Sequence, residues 1–323
     1  MRKIAGITTV ILMASYICGC SAEVKNTDPP APVTEPPAVQ RPNPVIDDNP
    51  LQLEPAPWLD GEMMKLKVSS LQADEIGVMF YLAERDNKDS GEIWRIIEQN
   101  YITTSDAQQY STAEAGVENF RPTFSHTVNL FGDFTAQYQP GKVKLEIAGA
   151  AGETKKDVDV NSPVYDNEQF VHLVRRLPLR EGFKASFKLF MIVGGQIIDC
   201  NVAVVGKESI AVQAGTFDCY RVNLTMRSGD EKPVEHALWI SADRNCYLTK
   251  YIADMSMIIE LAEVTQAEKG APVTFEDDDF GCEVTVPHDW RFYKHVMGKD
   301  VFLEMLAPQL KPKRPYVSCP HRA

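Results

Sequence analysis

Lys142-Val143-Lys144-Leu145-Glu146-Ile147 follows a turn at Pro140-Gly141, and its strict alternation of charged and aliphatic residues decides the fold class. Side chains of an extended chain point to opposite faces in turn, so this stretch has one apolar and one charged face. The pattern recurs along the chain. Met64, Leu66 and Val68 alternate with Lys65 and Lys67, and Ile198, Cys200, Val202 and Val204 share one face. Val78, Phe80 and Leu82 precede the polar turn Arg85-Asp86-Asn87. Such alternation between turn signals reads as antiparallel strands with one face on a core. Some strands are apolar on both faces: Met79 and Tyr81 oppose Val78 and Phe80, and Phe190 and Ile192 oppose Phe187, Leu189 and Met191. A sheet curled over a helix or closed on itself would bury both. The expected fold is mainly β, a curled antiparallel sheet (β-roll or half-barrel) with at least one packed helix.

The helix is expected at Phe170, Leu173, Val174 and Leu177, which recur with helical period. Asp166 and Gln169 form a capping-box pattern before it, and Tyr165 and Phe170 are placed as a hydrophobic staple. Arg175 and Arg176 suit its negative C-terminal end, and Pro178 stops it. His172, two residues after Phe170, is read as pointing away from the apolar stripe.

Working outward to the N-terminus, Arg2 and Lys3 precede a short apolar run, Ile7 to Tyr16, and then Ile17-Cys18-Gly19-Cys20. A permanent membrane span needs about 20 apolar residues, so residues 1–20 read as a signal peptide. The tetrad resembles a bacterial lipobox, with Cys18 an unusual occupant of its middle. The resemblance makes Cys20 the lipid-attachment residue and membrane lipid, through an acyl anchor, a partner. Ser21 follows without the aspartate that resembles an inner-membrane retention signal, so the expected address is the outer membrane, facing the periplasm. Ten of the 21 prolines fall between residues 21 and 57, which marks that segment as an extended, disordered spacer rather than a folded unit. Stretched, it could hold a body roughly 100 Å from the membrane.

The formal charge is -12, and loss of Arg2 and Lys3 makes the remainder more acidic still. A chain this acidic lacks the basic footprint of a nucleic-acid binder. Apart from Cys18 and Cys20, the cysteines are 200, 219, 246, 282 and 319; their number is odd, and a bridge among Cys200, Cys219 and Cys246 is left open. No spacing of Cys and His suits zinc, and no nucleophile elbow, phosphate loop or HExxH pair occurs. Six scattered histidines, at 126, 172, 236, 288, 295 and 321, read as ordinary exposed or satisfied residues. Glu276 to Asp279 lack the spacing of a calcium loop and read as a solvated linker. Asp60 and Glu62 read as strand-end groups rather than an acid/base pair, and Asn223-Leu224-Thr225 as a chance glycosylation pattern. No catalytic, metal or cofactor residue is expected.

The stretch from Val164-Tyr165-Asp166 to Arg176-Leu177-Pro178-Leu179 and Gly182 resembles exported bacterial proteins of the domain-of-unknown-function 3108 family. So do Val205-Gly206-Lys207-Glu208, Ala214-Gly215-Thr216-Phe217 and Leu238-Trp239-Ile240-Ser241-Ala242-Asp243. The likeness runs from about residue 60 to 262. It implies a β-roll loosely similar to lipoprotein carriers whose half-barrel cups acyl chains, and no enzymatic activity. Gly215 then serves a tight turn and Trp239 core packing. Farther on, Phe280 to Trp290 resembles the opening strand of a PsbP-like or Mog1-like domain, with Val301 to Met305 as its second strand.

The expected organisation is therefore signal peptide 1–20, proline-rich linker 21–57, β-roll 58–266, and an acidic junction with an incomplete second β segment over 267–323. The expected function is that of a non-catalytic, membrane-tethered envelope lipoprotein binding an apolar ligand or envelope component. A structural or adaptor lipoprotein with a protein-docking face is the alternative, and a cell-wall hydrolase a distant third. An open apolar trough or a filled interior separates the first two.

Overall fold

A computed structural model describes residues 51–308, apart from 89–90, 151, 254–255, 279 and 298, together with 321–322. The lipobox, Cys319 and residues 21–50 of the spacer lie outside the described residues. Two antiparallel meanders make up most of the structure. The first contains β1 (Glu62–Ser70), β2 (Glu75–Lys88), β3 (Gly91–Ile102), β4 (Ala107–Gly116), β5 (Pro122–Asn129), β6 (Gly132–Gln139), β7 (Lys142–Gly149) and β8 (Gly152–Asp159). A strap then crosses the sheet: β9 (Val164–Asp166), a 3-10 turn (Asn167–Gln169) and α1 (Phe170–Arg175). The second meander contains β10 (Lys184–Met191), β11 (Gln196–Val212), β12 (Gly215–Arg227), β13 (Val234–Ser241), β14 (Leu248–Ala253) and β15 (Met257–Gln266). Pairing of β15 with β1 joins the meanders into one 15-stranded sheet whose edges are β8 and β9, so it is mainly β and not closed into a barrel. Two small sheets follow, β16 (Val273–Asp277) with β17 (Cys282–Val286), and β18 (Arg291–Met297) with β19 (Asp300–Leu306) and β20 (His321–Arg322).

Alternation builds the core as the sequence reading requires. Met64, Leu66 and Val68 face inward with Ile198, Cys200, Val202 and Val204, in one cluster with the apolar residues of α1. Every residue of α1 is buried, so the helix fills the concave side of the sheet. The two-faced strands have two different explanations. The second face of β2 is covered by the C-terminal strands, where Val78 and Phe80 meet Tyr293 and Leu306. The second face of β10 is covered by the far end of the same sheet: Phe190 and Ile192 pack on Phe134, Ala136, Val143 and Leu145. The β9–β10 edge is thus rolled under β6 and β7.

Close approach at the seam of the two meanders explains one glycine. Gly61 donates to the Ala83 carbonyl at 2.8 Å and accepts from Ala267 N at 2.8 Å. Its φ is +85°, and a Cβ there would run into the Ala267 carbonyl, so a larger residue would split the join.

Several expectations need correction. His172 is 1% exposed rather than outward, because α1 is enclosed on every side and its apolar stripe has no solvent-facing complement. Asp166 caps the 3-10 turn through Glu168, but Gln169 donates to the Phe120 carbonyl at 2.9 Å, which leaves the capping box half realised. Leu51, Leu53 and Ala56, counted with the spacer, pack against the core. Trp239 is buried, 6% exposed, but on the outer face, where Arg221 covers its ring and Glu208 accepts from its indole N–H at 2.7 Å; Leu238 and Ile240 take the inner positions. Between the two strands expected near the C-terminus lies β18, and Glu276 and Asp277 end β16 instead of lying in a linker.

Cys200, Cys219, Cys246 and Cys282 are free thiols. Cys200 pairs in register with Met226 and Cys219 with Glu208, which separates them by roughly 25 Å along the hairpin at the usual strand rise, too far for a bridge. Burial pushes the Cys200 thiol up and leaves it 0% exposed, so brief alkylation of the native protein with iodoacetamide is expected to spare it and modify half-buried Cys282. Mass spectrometry of the peptides checks this; early loss of the Cys200 thiol would mean an opened roll.

Candidate functional site

The strap is itself one of the family-like motifs, and its C-terminal end meets the loop that follows another, Leu238 to Asp243. At its C-terminal end Arg175 is 1% exposed. Its Nη2 donates to Glu62 Oε1 at 2.7 Å and to the Asn245 carbonyl at 3.0 Å, and its Nε donates to the Cys246 carbonyl at 2.9 Å. The guanidinium also lies 5.0 Å over the Trp58 ring. Those carbonyls are presented by the loop after Ser241-Ala242-Asp243. There Asp243 accepts from Ser241 Oγ at 3.0 Å and from Asn245 N at 2.8 Å, and Cys246 takes a φ of +48°. Arg176 grips two other segments. Its Nε donates to the Glu54 carbonyl at 2.7 Å, while Nη1 donates to the Val117 carbonyl and Nη2 to the Glu118 carbonyl, each at 2.9 Å. The arginines therefore tie α1 to the N-terminal arm, the start of β1, the β4–β5 turn and the β13–β14 loop. Their role as complements to a helix dipole is minor beside this.

At the other end lie three buried carboxyl groups. Asp166, Glu168 and Glu98 are 0%, 3% and 7% exposed. Asp166 accepts from Ser125 Oγ at 2.5 Å, from the Tyr138 hydroxyl, and from Glu168 N at 2.7 Å. Glu168 accepts from Asn167 Nδ2 at 2.7 Å and from Ser111, and Glu98 accepts from Asn100 Nδ2 at 3.0 Å and from Tyr81. Strand register puts Tyr81, Glu98, Ser111 and Thr127 in one row on the inner face, beneath the strap. Burial pushes the Asp166 carboxyl up to about 6 against the pull of its donors. Glu98 and Glu168 also hold their protons well above the usual carboxylate range, chiefly through burial, with the Glu98 charge adding to the effect on Glu168. An enclosed site penalises the charged form, which is why burial raises all three, Glu168 the most.

Little else converges. Glu62 serves Arg175, while Asp60 sits in the preceding turn and accepts from Arg85 N at 2.7 Å, so the two are not a pair. His126 meets Asp133 at 2.8 Å, His236 meets Tyr251 at 2.9 Å, and His288 meets Glu84. His172 packs edge-on against Trp58 at 4.8 Å, and burial holds it neutral. Among the described residues no group of three His, Cys, Asp or Glu could hold a metal, and no helix is long and apolar enough to cross a membrane.

Two open clefts of about 530 Å³ each lie away from the buried helix α1. One separates β2–β4 from the C-terminal strands and is lined by Glu84, Arg95, His288 and Asp289, a mixture of both signs. The other lies at the mouth of the roll. It is bounded by the β6–β7 hairpin and the segment joining β8 to β9, with Tyr138 linking it to Asp166.

The sequence reading missed Glu98, Glu168, Arg175 and Arg176 as a set. One signal was present: Glu98 shares its parity with Trp94 and Ile96, which places a carboxylate among inward residues.

Among solved structures the chain is similar to a "beta-barrel-like protein of domain of unknown function DUF1849" from Brucella abortus, with 12% identity over 67% of this chain and 100% of that one (TM-score 0.43). It is also similar to a "putative exported protein with YmcC-like fold" from Bacteroides fragilis, with 11% identity over 66% and 99% of the two chains (TM-score 0.29). A "putative lipoprotein" from Parabacteroides distasonis shares 16% identity over 66% and 99% (TM-score 0.30). No curated protein matches the chain. The model of the DUF3108 family, proteins of unknown function, matches residues 76–259, more than half of the sequence, spanning most of both meanders and the whole strap. The chain belongs to the DUF3108 family.

Proposed function

We propose that the chain is a non-catalytic lipoprotein of the bacterial envelope whose rolled sheet is a packed scaffold, offering its outer surface to another envelope component. One observation carries this reading: α1, wholly buried and held by Arg175 and Arg176, fills the concave side that an apolar cargo would need. A carrier would have to expel a helix anchored to four separate segments. The three enclosed carboxyl groups likewise sit beneath the strap, away from the exposure that hydrolysis of a cell-wall polymer demands. In this reading Cys20 carries the lipid, the proline-rich spacer holds the roll away from the membrane, and the body faces the periplasm from the outer membrane.

Photo-crosslinking in intact cells tests the docking claim. Probes replacing Lys67 or Arg221 are expected to trap a discrete envelope partner. Capture of none, combined with uptake of a fatty acid that opens the backbone amides of α1 to hydrogen exchange, would favour the carrier instead. The anchor has its own test. Growth with an alkynyl palmitate analogue is expected to label the wild type, while Cys20→Ala loses the label and leaves the membrane fraction. A labelled Cys20→Ala protein would place the lipid elsewhere.

A further inference from the structure

The cleft at the mouth of the roll differs from the rest of this acidic surface. Its charged lining residues are Arg121 and Lys142, both cationic, in a chain of net charge -12. Its accessible apolar lining includes Val160 and Pro163, with Val143 and Val164 buried behind them. Lys142 is occupied, donating to Asp157 at 2.9 Å. Arg121 has unused capacity. Its guanidinium lies 4.5 Å over the Tyr165 ring, and its Nη1 is buried without a hydrogen-bond partner among the described residues. Nη1 itself is enclosed, so an anion would pair with the part of the guanidinium that lines the cleft, and the ring fixes the group in place so that little entropy is lost on pairing. The cleft's volume of about 530 Å³ falls within the range typical of small-molecule sites, and apolar walls with one or two placed polar groups are their usual composition.

We propose that this cleft binds a single-chain anionic amphiphile, its carboxylate or phosphate on Arg121 and its apolar body against Val160 and Pro163. The proposal is independent of the docking scaffold described above: no residue of α1 lines the cleft, and a partner could be absent while the cleft still binds.

Titration calorimetry on the full chain carrying Cys20→Ala, so that no covalent lipid competes, tests it below the micellar limit. Dodecanoate and dodecyl phosphate are expected to bind saturably with similar affinity. Arg121→Gln is expected to weaken both at least tenfold, and Arg121→Lys to restore most of the loss. Val160→Asp, which puts a carboxylate in the apolar wall, is expected to abolish binding and covers the case in which Arg121→Gln fails to fold. Dodecanol binding as tightly as dodecanoate would overturn the ionic half of the proposal, and inorganic phosphate binding as tightly as dodecyl phosphate the apolar half. Displacement by a short diacyl phosphatidylglycerol as effective as by dodecanoate would overturn the single-chain assignment. Unchanged affinity in Arg121→Gln, or no saturable binding by 1 mM (on the order of the weakest useful affinity), would remove the site.

Discussion

Arg175→Met is expected to destabilise the roll by about 3–5 kcal/mol, the cost of leaving a buried charge without its partner. The native guanidinium is buried, and it satisfies a buried carboxylate as well as two loop carbonyls. Methionine has similar length but donates nothing, so Glu62 and the carbonyls of Asn245 and Cys246 lose their donor at once. Burial already raises the Glu62 carboxyl above its usual range despite the arginine beside it, so loss of that arginine would raise it further. Urea unfolding followed by tryptophan fluorescence measures the loss, since Trp58 lies directly beneath the guanidinium. The double variant Glu62→Gln/Arg175→Met is expected to recover a good part of it, because the uncompensated charge is then gone. A cost below about 1 kcal/mol, the range of a surface ion pair, would show that the clamp is solvent-accessible.

Glu168→Gln is expected to stabilise the protein at alkaline pH and to change it little in acid. In the folded chain burial raises the Glu168 carboxyl from the ordinary value of 4.5 to about 8, with the Glu98 charge adding to the shift. A raised folded-state pKa contributes stability that is fully present below 4.5 and is lost as the pH climbs to about 8, because only the unfolded chain releases its proton freely across that window. Above about 8 the penalty is constant. Glutamine keeps the neutral, hydrogen-bonding character of the protonated acid and removes the penalty. The advantage of the variant should therefore grow by at least about 2 kcal/mol between pH 4.5 and pH 8. Unfolding free energies at four or five pH values give the slope directly. A variant whose curve runs parallel to the wild type would place Glu168 in contact with solvent. Glu98→Gln should follow the same sign with a smaller span, since its carboxyl is raised less, to about 7.

How the strands lie was legible because the signal is local. Lys142 to Ile147 alternate, and β7 forms there; Met64, Leu66 and Val68 alternate, and all three face the core. Asp166 was legible as a cap and Pro178 as a stop for the same reason. The family could also be read from short motifs, and its model covers most of the residues expected. What those motifs do was not legible. Trp239 is buried as its type suggests, yet strand parity sets it on the outer face among Arg221, Lys250 and Glu208. His172 was placed outside by helical period, but period locates a buried face only when the opposite side meets water. In α1 the opposite side meets Trp58 and Tyr81.

From the sequence alone come the strand pattern, the helix and its ends, the lack of any local catalytic motif, and the expectation of a lipidated Cys20. All of these depend on neighbours within a few positions. Only the tertiary structure decided that the sheet rolls its β9–β10 edge beneath β6 and β7, that α1 fills the interior, and that Arg175 meets a glutamate 113 positions away. The reason is geometric: register and curvature accumulate over fifteen strands, and a charge finds its partner only after every intervening turn has closed.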